Sequence, residues 1–412
     1  MRGAYLCREI IRTVHTTGAI TATTLDWIQK LISFDSTSRE SNLALIETIR
    51  NELVAHGLNP TLVPNPDGTK ANLFVTIPAL DGTVTGGIML AGHTDVVPVD
   101  GQDWSTDPFT AEVRDGRIYG RGTCDMKAFG AVILGMLPEF LASPLRIPLH
   151  LALTYDEEVG CHGAAVLLEY LTAKDIHPAV CIVGEPTSML PVTAHKSSHL
   201  FRVSIQGVAA HSSNTPAGAN AIEYAARAIS FIRAIADENR TAGPFDSSFE
   251  VPFTTANVGV ITGGVAVNTV ADRCEFEFEF RTILGVDPTS ISERIHGYLL
   301  GELRSELQRE NAAADIRIAP LGAVPALGPG TGQALELVQS LIAPSTVSSE
   351  KTWQTVGYGT EGGLYQLAGI DTVVCGPGSM AQGHTANEYI ELSQVRACEE
   401  FMRALARHCA VG

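Results

Sequence analysis

The sequence has no apolar run approaching the length of a bilayer span, which argues against a helical membrane protein. Residues 1–20 carry a few positive charges and small apolar clusters. They lack the continuous apolar stretch and small-residue cleavage site of a secretory signal, and read as an upstream extension. There is no CxxC pair: eight cysteines are scattered singly, the pattern of reduced thiols in a cytoplasmic protein rather than of a disulfide framework. Positive charge is scarce. Against 45 acidic residues stand 28 basic ones, a net charge of −17, so phosphate backbones and anionic membranes are repelled as partners. No strand leads into a GxGxxG turn with an acid at the right offset, which sets aside a dinucleotide enzyme. Repeats and low-complexity tracts are also missing.

What remains is an ordinary globular composition, 45% apolar and 18% charged, over 412 residues. That length exceeds one compact core and predicts two or three domains. From Thr24 to about residue 196, apolar segments at helical spacing (TLDWIQKLISF, SNLALIETIRNELVAHG, DMKAFGAVILGMLPEFL, GCHGAAVLLEYLTAK) alternate with strand-like runs (NLFVTIP, GGIMLAGH, IPLHLALTYDEE, AVCIVGEPT). The alternation predicts an α/β fold, a mostly parallel sheet with helices on both faces. After His195 the texture changes. LFRVSIQGV, NAIEYAARAISFIRAIADEN, FTTANVGVITGG, RCEFEFEFRTI, SISERIHGYLLGELRSELQREN and ADIRIAP give the order β-α-β-β-α-β of a ferredoxin-like unit. A catalytic domain over 21–196 and 326–412 is therefore expected to carry an inserted α+β domain over 197–325.

In a parallel sheet, ligands gather beyond the carboxyl ends of the strands. The charged residues fall there. GGIMLAGHTDVVP ends with His93 and Asp95; GRGTCDMK puts Asp125 in a turn before a helix; LTYDEE supplies Glu157 and Glu158; CIVGEPT supplies Glu185; VVCGPGSMAQGHTANE supplies His384. Adjacent buried carboxylates repel one another unless a cation binds them. Two imidazoles with four or five carboxylates suit paired zinc or cobalt ions, with one carboxylate bridging them. Asp95, two residues from His93 on one face of an extended segment, is placed to orient that ring. Each residue alone has an ordinary explanation: a capping histidine, a solvated acidic loop, an Asp N-cap at 125, turn chemistry at Glu185 before Pro186. Their coincidence at successive ends of one sheet favours the metal reading.

AGHTDVVP, GRGTCDMK, DEE, GEPT, HSSNTPAGANAI and GPGSMAQGHTANEYIE together resemble, in order and spacing, the co-catalytic zinc deacylase family. That family includes acetylornithine deacetylases, succinyl-diaminopimelate desuccinylases, aminoacylases and glutamate carboxypeptidases. The resemblance covers nearly the whole chain from Thr24. It implies two zinc ions (cobalt being possible), one held by His93, Asp125 and Glu185, the other by Asp125, Glu158 and His384. It further implies Glu157 as general base, His211 of the insert polarising the scissile carbonyl, in relatives often across a dimer, and Asn268 and Arg281 holding a substrate carboxylate. From the same resemblance follows a homodimer formed through the inserted lid, acting on a small N-acyl amino acid. The stretches FDSTSRESNLALIETIRNEL, GEPTSMLPVTAHKSSH and YGTEGGLYQLAGIDTVVCGPGSMAQGHTANEYIE look closest to the acetylornithine deacetylase branch. The implied reaction is acetyl removal from N2-acetyl-L-ornithine, as in arginine synthesis, with a desuccinylase, a broader deacylase or a peptidase as the alternatives. Ala128, Ser197 and Ala271 depart from the family pattern, and none of them removes a ligand.

Overall fold

The computed structural model describes residues 20–342 and 352–410; the expected extension over 1–20 lies, but for Ile20, outside them. The chain opens with α1 (Ala22–Ile32), α2 (Leu43–Ala55) and strands β1 (Thr61–Pro64), β2 (Ala71–Ile77) and β3 (Ile88–His93). It continues through β4 (Glu112–Arg114), β5 (Arg117–Tyr119), α3 (Lys127–Ala142), β6 (Leu149–Thr154), α4 (His162–Ala173), β7 (Val180–Pro186) and β8 (Val192–His195). A second unit follows: β9 (Ser198–Gln206), α5 (Ala221–Ala242), β10 (Thr255–Gly263), β11 (Arg273–Arg281), α6 (Pro288–His296), a π-wound turn over Gly297–Leu303, α7 (Arg304–Glu310) and β12 (Asp315–Val324). The first unit then resumes with α8 (Gln333–Leu341), β13 (Gln354–Val356), α9 (Gly362–Leu367), β14 (Asp371–Gly376), β15 (Tyr389–Glu391) and α10 (Leu392–Cys409).

Local chemistry explains the ends. Thr21 caps α1 by accepting from the Thr24 amide at 3.1 Å, and Trp27, Ile28, Leu31 and Ile32 put one buried face on the core. α2 buries Leu45, Ile46, Ile49 and Leu53 and stops before Gly57, whose φ of +80° suits a residue without Cβ. α3 is buried almost all round and carries Pro138 without ending.

Eight strands form the main sheet in the order β1-β2-β6-β3-β7-β14-β8-β13. The central four, β6, β3, β7 and β14, run parallel and are buried at every position, as strands covered on both faces must be. The departures from the parallel expectation lie outside that centre: β2 pairs antiparallel with both β1 and β6, and β8 runs antiparallel to β14. A short sheet, β15-β5-β4, ties Tyr389 to Tyr119 and so brings two distant segments together near the carboxyl ends of the central strands.

The second unit has the sheet order β10-β11-β9-β12, antiparallel throughout, the ferredoxin-like arrangement. Phe276, Phe278 and Phe280 alternate inward and pack with Phe201, Val203 and Ile205 against the buried faces of α5 and α6. Each such side chain contributes about 1.5–3 kcal/mol by burial. Alternation leaves the other face of this sheet to Leu200, Arg202, Glu277, Glu279 and Arg281. Its β9 and β11 ends turn towards the main sheet. Among the described residues, no helix is long and apolar enough to cross a membrane.

Candidate metal centre

Three parallel strand ends supply the base of the site. β3 ends at His93, β7 carries Glu185 near its end, and β6 runs into a turn that bears Glu157 and Glu158 after Asp156, which has φ +54°. Asp125 comes from the turn before α3. His384 follows β14 in a left-handed backbone conformation, φ +56°, uncommon for a side-chain-bearing residue. His93 Nε2 lies 3.1 Å from Asp125 Oδ1 and 3.5 Å from Glu185 Oε1. His384 Nε2 lies 3.1 Å from Asp125 Oδ2 and 3.1 Å from Glu158 Oε2. Each oxygen of Asp125 therefore faces a different imidazole. Donor atoms of His93, Glu157 and Glu185, and of His93, Asp125 and Glu158, form two groups whose members all lie within 4.8 Å of one another.

The electrostatics of these residues fit dications. Burial and then the Asp125 charge push the Glu185 carboxyl up to about 8 and that of Glu158 up to about 7. Burial, with Glu185 next, holds Glu157 well above the usual carboxylate range. Burial also opposes ionisation of Asp125, but hydrogen bonds from His384 and His93 keep it low. His384, still 48% exposed, is raised to about 11 by its bonds to Asp125 and Glu158. Burial lowers the His93 value, but Glu185 and Asp125 outweigh it and leave the ring well above its ordinary range. Such raised carboxyls are what bound divalent cations relieve, and the cluster's nitrogen and carboxylate donors are those zinc and cobalt accept.

The supports are specific. His93 Nδ1 donates to the backbone carbonyl of Asp95 at 2.9 Å, which fixes a proton on Nδ1 and turns Nε2 towards the cluster; the Asp95 carboxylate lies farther off, at 3.5 Å. The Asp95 carboxylate instead accepts from Ser38 Oγ at 2.7 Å and from the amides of Glu157 (3.1 Å) and Glu158 (3.3 Å). It orders the acidic turn as much as the ring.

Glu388 is a residue that sequence reasoning missed. Its Oε2 accepts from Arg121 at 2.6 Å and the Gly122 amide at 3.0 Å; its Oε1 accepts from the amides of Cys124 (2.8 Å) and Asp125 (3.0 Å). Arg121 and Glu388 are 1% and 0% exposed. The signal was the pair of basic and acidic residues within GRGTCDMK and GHTANEYIE, indistinguishable from loop charges until the β5–β15 pairing is known. Lys127, also missed, is buried, donates to the Phe34 carbonyl at 2.9 Å, and is pushed down to about 7 by burial. Glu361 lies buried beneath the turn, hydrogen-bonded to Thr154 and Tyr365, and burial lifts it to about 7.

Above the cluster opens a cleft of about 310 Å³. Asp125, Glu157, Glu158, Glu185, Tyr358, Met380 and His384 line its main-sheet side; Ser198, Leu200, Glu279, Arg281 and Val324 line the other. Arg281 thus stands in the cleft, paired with Glu279 at 2.9 Å. His211 and Asn268 do not line it. They sit together in the loops that leave the far ends of β9 and β10, where the Ser212 amide donates to the Asn268 carbonyl at 3.0 Å and His211 Nδ1 bonds Ser213 Oγ at 2.8 Å. Ser197, one of the departures from the family pattern, stitches β9 to β11 through Thr282, with hydroxyls 2.6 Å apart.

Comparison with known proteins agrees with this geometry. The model of peptidase family M20/M25/M40 matches residues 89–408. An acetylornithine deacetylase of Proteus mirabilis is 33% identical over 406 residues, covering 96% of this chain and 95% of its own. One of Shigella sonnei is 34% identical over 404 residues, with 97% of each chain covered. A solved tripeptidase from Staphylococcus aureus superposes with a TM-score of 0.69 at 20% identity, over 95% of this chain and 99% of its own, which is a likeness of fold.

Proposed function

Because the chain belongs to peptidase family M20/M25/M40 and is a metal-dependent hydrolase of amide bonds, we propose that it removes the acetyl group from N2-acetyl-L-ornithine, releasing ornithine and acetate in the cytoplasm for arginine synthesis. The observation that carries this reading is Asp125, with an imidazole facing each of its oxygens and Glu157, Glu158 and Glu185 around it. On it, His93, Asp125 and Glu185 hold one zinc, and Asp125, Glu158 and His384 hold the other; cobalt suits the same donors. When bound, such a pair supplies Lewis acidity that brings the pKa of water towards neutrality.

The chain's own groups do the rest. Glu157 lies in the cleft and binds neither ion on this assignment, so its carboxylate is free to take a proton from water and return it to the departing amine. Burial, with the Glu185 charge next, raises its basicity above that of an ordinary carboxylate. Arg281 offers a guanidinium to the α-carboxylate. On this reading His211 and Asn268, which do not line the cleft, act from a second copy of the chain. The edge strand β10 supports that: Val260 and Ile261 on it, and Val265 and Val267 just after it, are exposed, with Val267 fully so at 102%. A homodimer paired along this edge buries them and carries the adjoining His211 loop towards the other copy's cleft.

Acetate release is the test. Metal-stripped protein is inactive on acetylornithine, zinc or cobalt restores turnover, and Glu157→Ala stays inactive with metal bound. Strong preference for N-succinyl-diaminopimelate, or hydrolysis of dipeptides without acetylornithine turnover, sinks the substrate assignment; full activity after chelation sinks the mechanism.

A further inference from the structure

On the side of the cleft opposite the metal cluster, two lining residues are charged, Glu279 and Arg281. They are two apart on β11, so both project from the face opposite Phe278 and Phe280. Their contact is two-pronged, Arg281 Nε to Glu279 Oε1 at 3.2 Å and Arg281 Nη2 to Glu279 Oε2 at 2.9 Å. Both side chains are about one-third exposed, at 31% and 29%, and that exposure is towards the cleft. Arg281 has one further protein acceptor, the Gly357 carbonyl at 3.5 Å, which is at the limit of a hydrogen bond. Beside the pair, Leu200 and Val324 give apolar wall. A plus and a minus charge, side by side on the wall of the cleft, complement a ligand that bears one charge of each sign a few bonds apart.

We propose that Glu279 determines specificity by binding a cationic group on the side chain of the amino acid being released, while Arg281 takes its carboxylate. This rests on the deacylase reading above and assigns to Glu279 the selection of N-acyl derivatives of diamino acids among its substrates. In the free protein the two residues satisfy each other. Substrate separates them: the carboxylate replaces Glu279 on Arg281, and the ammonium replaces Arg281 on Glu279. One charge-assisted pair is broken and two are formed, which offsets the cost of desolvating the substrate's carboxylate and ammonium. A substrate with a neutral side chain takes Arg281 but leaves Glu279 in the cleft without a cation, and it binds worse for that reason.

The experiment compares zinc-loaded wild type, Glu279→Gln and Glu279→Asp on N2-acetylornithine and on N-acetylnorvaline, which lacks the amine. Wild type favours the cationic substrate by roughly tenfold to a hundredfold in kcat/KM, the size of one charge-assisted bond. Glu279→Gln collapses that ratio towards one, mainly through KM for acetylornithine, and Glu279→Asp, which keeps the charge, keeps most of it. A ratio unchanged in Glu279→Gln, with both substrates losing equally, overturns the proposal and leaves Glu279 a support for Arg281. So does a wild type that hydrolyses both substrates equally well. Absence of turnover with either substrate, in wild type fully loaded with metal, refutes the deacylase reading itself.

Discussion

Glu388→Gln tests whether the two segments that flank the metal centre are held together by one carboxylate. The native side chain takes four donors, two on each oxygen, at 2.6–3.0 Å. The amide keeps one acceptor oxygen and puts an NH2 where the other was, so two donors face a donor. Arg121 suffers most. It is 1% exposed, its remaining acceptors are Gln102 Oε1 at 2.6 Å and two carbonyls at 3.4 Å, and its Nε has no partner. A buried guanidinium without a counter-charge costs about 3–5 kcal/mol, a large share of the roughly 5–15 kcal/mol that holds a typical domain folded. Loss of the bonds to the Cys124 and Asp125 amides also loosens the turn that presents Asp125, which costs about 10–100-fold in metal affinity. Urea unfolding of the metal-free protein reads the first quantity, and zinc competition against a chromogenic chelator reads the second. Adding Arg121→Met to Glu388→Gln recovers part of the stability, because the stranded charge is gone. Unfolding free energy within about 1 kcal/mol of wild type for Glu388→Gln alone would refute the account.

Other outcomes follow from the same structure. Glu157→Gln keeps stoichiometric metal but loses about 10²–10⁴-fold in kcat, checked by acetate release beside elemental analysis; an unaffected kcat removes Glu157 from the chemistry. In the metal-free protein the cluster's contribution to stability falls as pH rises: Glu157, Glu158 and Glu185 have raised values and bind more protons folded than unfolded above the ordinary carboxyl range, and the raised His93 and His384 act in the same sense once pH passes the ordinary imidazole range. Its melting temperature accordingly falls as pH rises from about 5 to about 8, and zinc abolishes that slope. Zinc binding near neutral pH releases more than one proton per chain, since those same groups must give theirs up; calorimetry in buffers of different ionisation enthalpy counts them, and no release contradicts the protonated cluster. Mixing Glu157→Ala with His211→Ala, refolded together, restores activity that neither has alone if His211 serves the second copy's cleft.

Much of the centre was legible because each of its donors follows a recognisable strand or opens a helix: His93 after GGIMLA, Glu185 after CIVG, Asp125 before α3. Period-two alternation likewise marked Phe276, Phe278 and Phe280 as one face of a strand. What stayed hidden depends on pairing between distant segments. Nothing local distinguishes Glu388 from a solvated loop acid until β15 meets β5, and nothing local turns Glu279 towards a cleft until β9 and β11 are seated against the main sheet. The antiparallel β1–β2 edge was hidden for a similar reason, since alternation of helix and strand predicts direction only where a helix intervenes. His211 and Asn268 illustrate a different limit: their place in one chain is settled by loops, while the role proposed for them depends on how two chains would meet.

The seat of β14 between β7 and β8 has a consequence for biosynthesis. β7 ends at residue 186 and β14 begins at 371, so at ribosomal speeds of about 5–20 residues per second the neighbours wait roughly ten to forty seconds for the strand that joins them. Through that interval the nascent sheet has an open slot and no His384. On the ligand assignment proposed above, a polypeptide released in that window lacks the imidazole that faces Asp125 and Glu158, so the second metal site is complete only in chains whose synthesis has passed beyond β14.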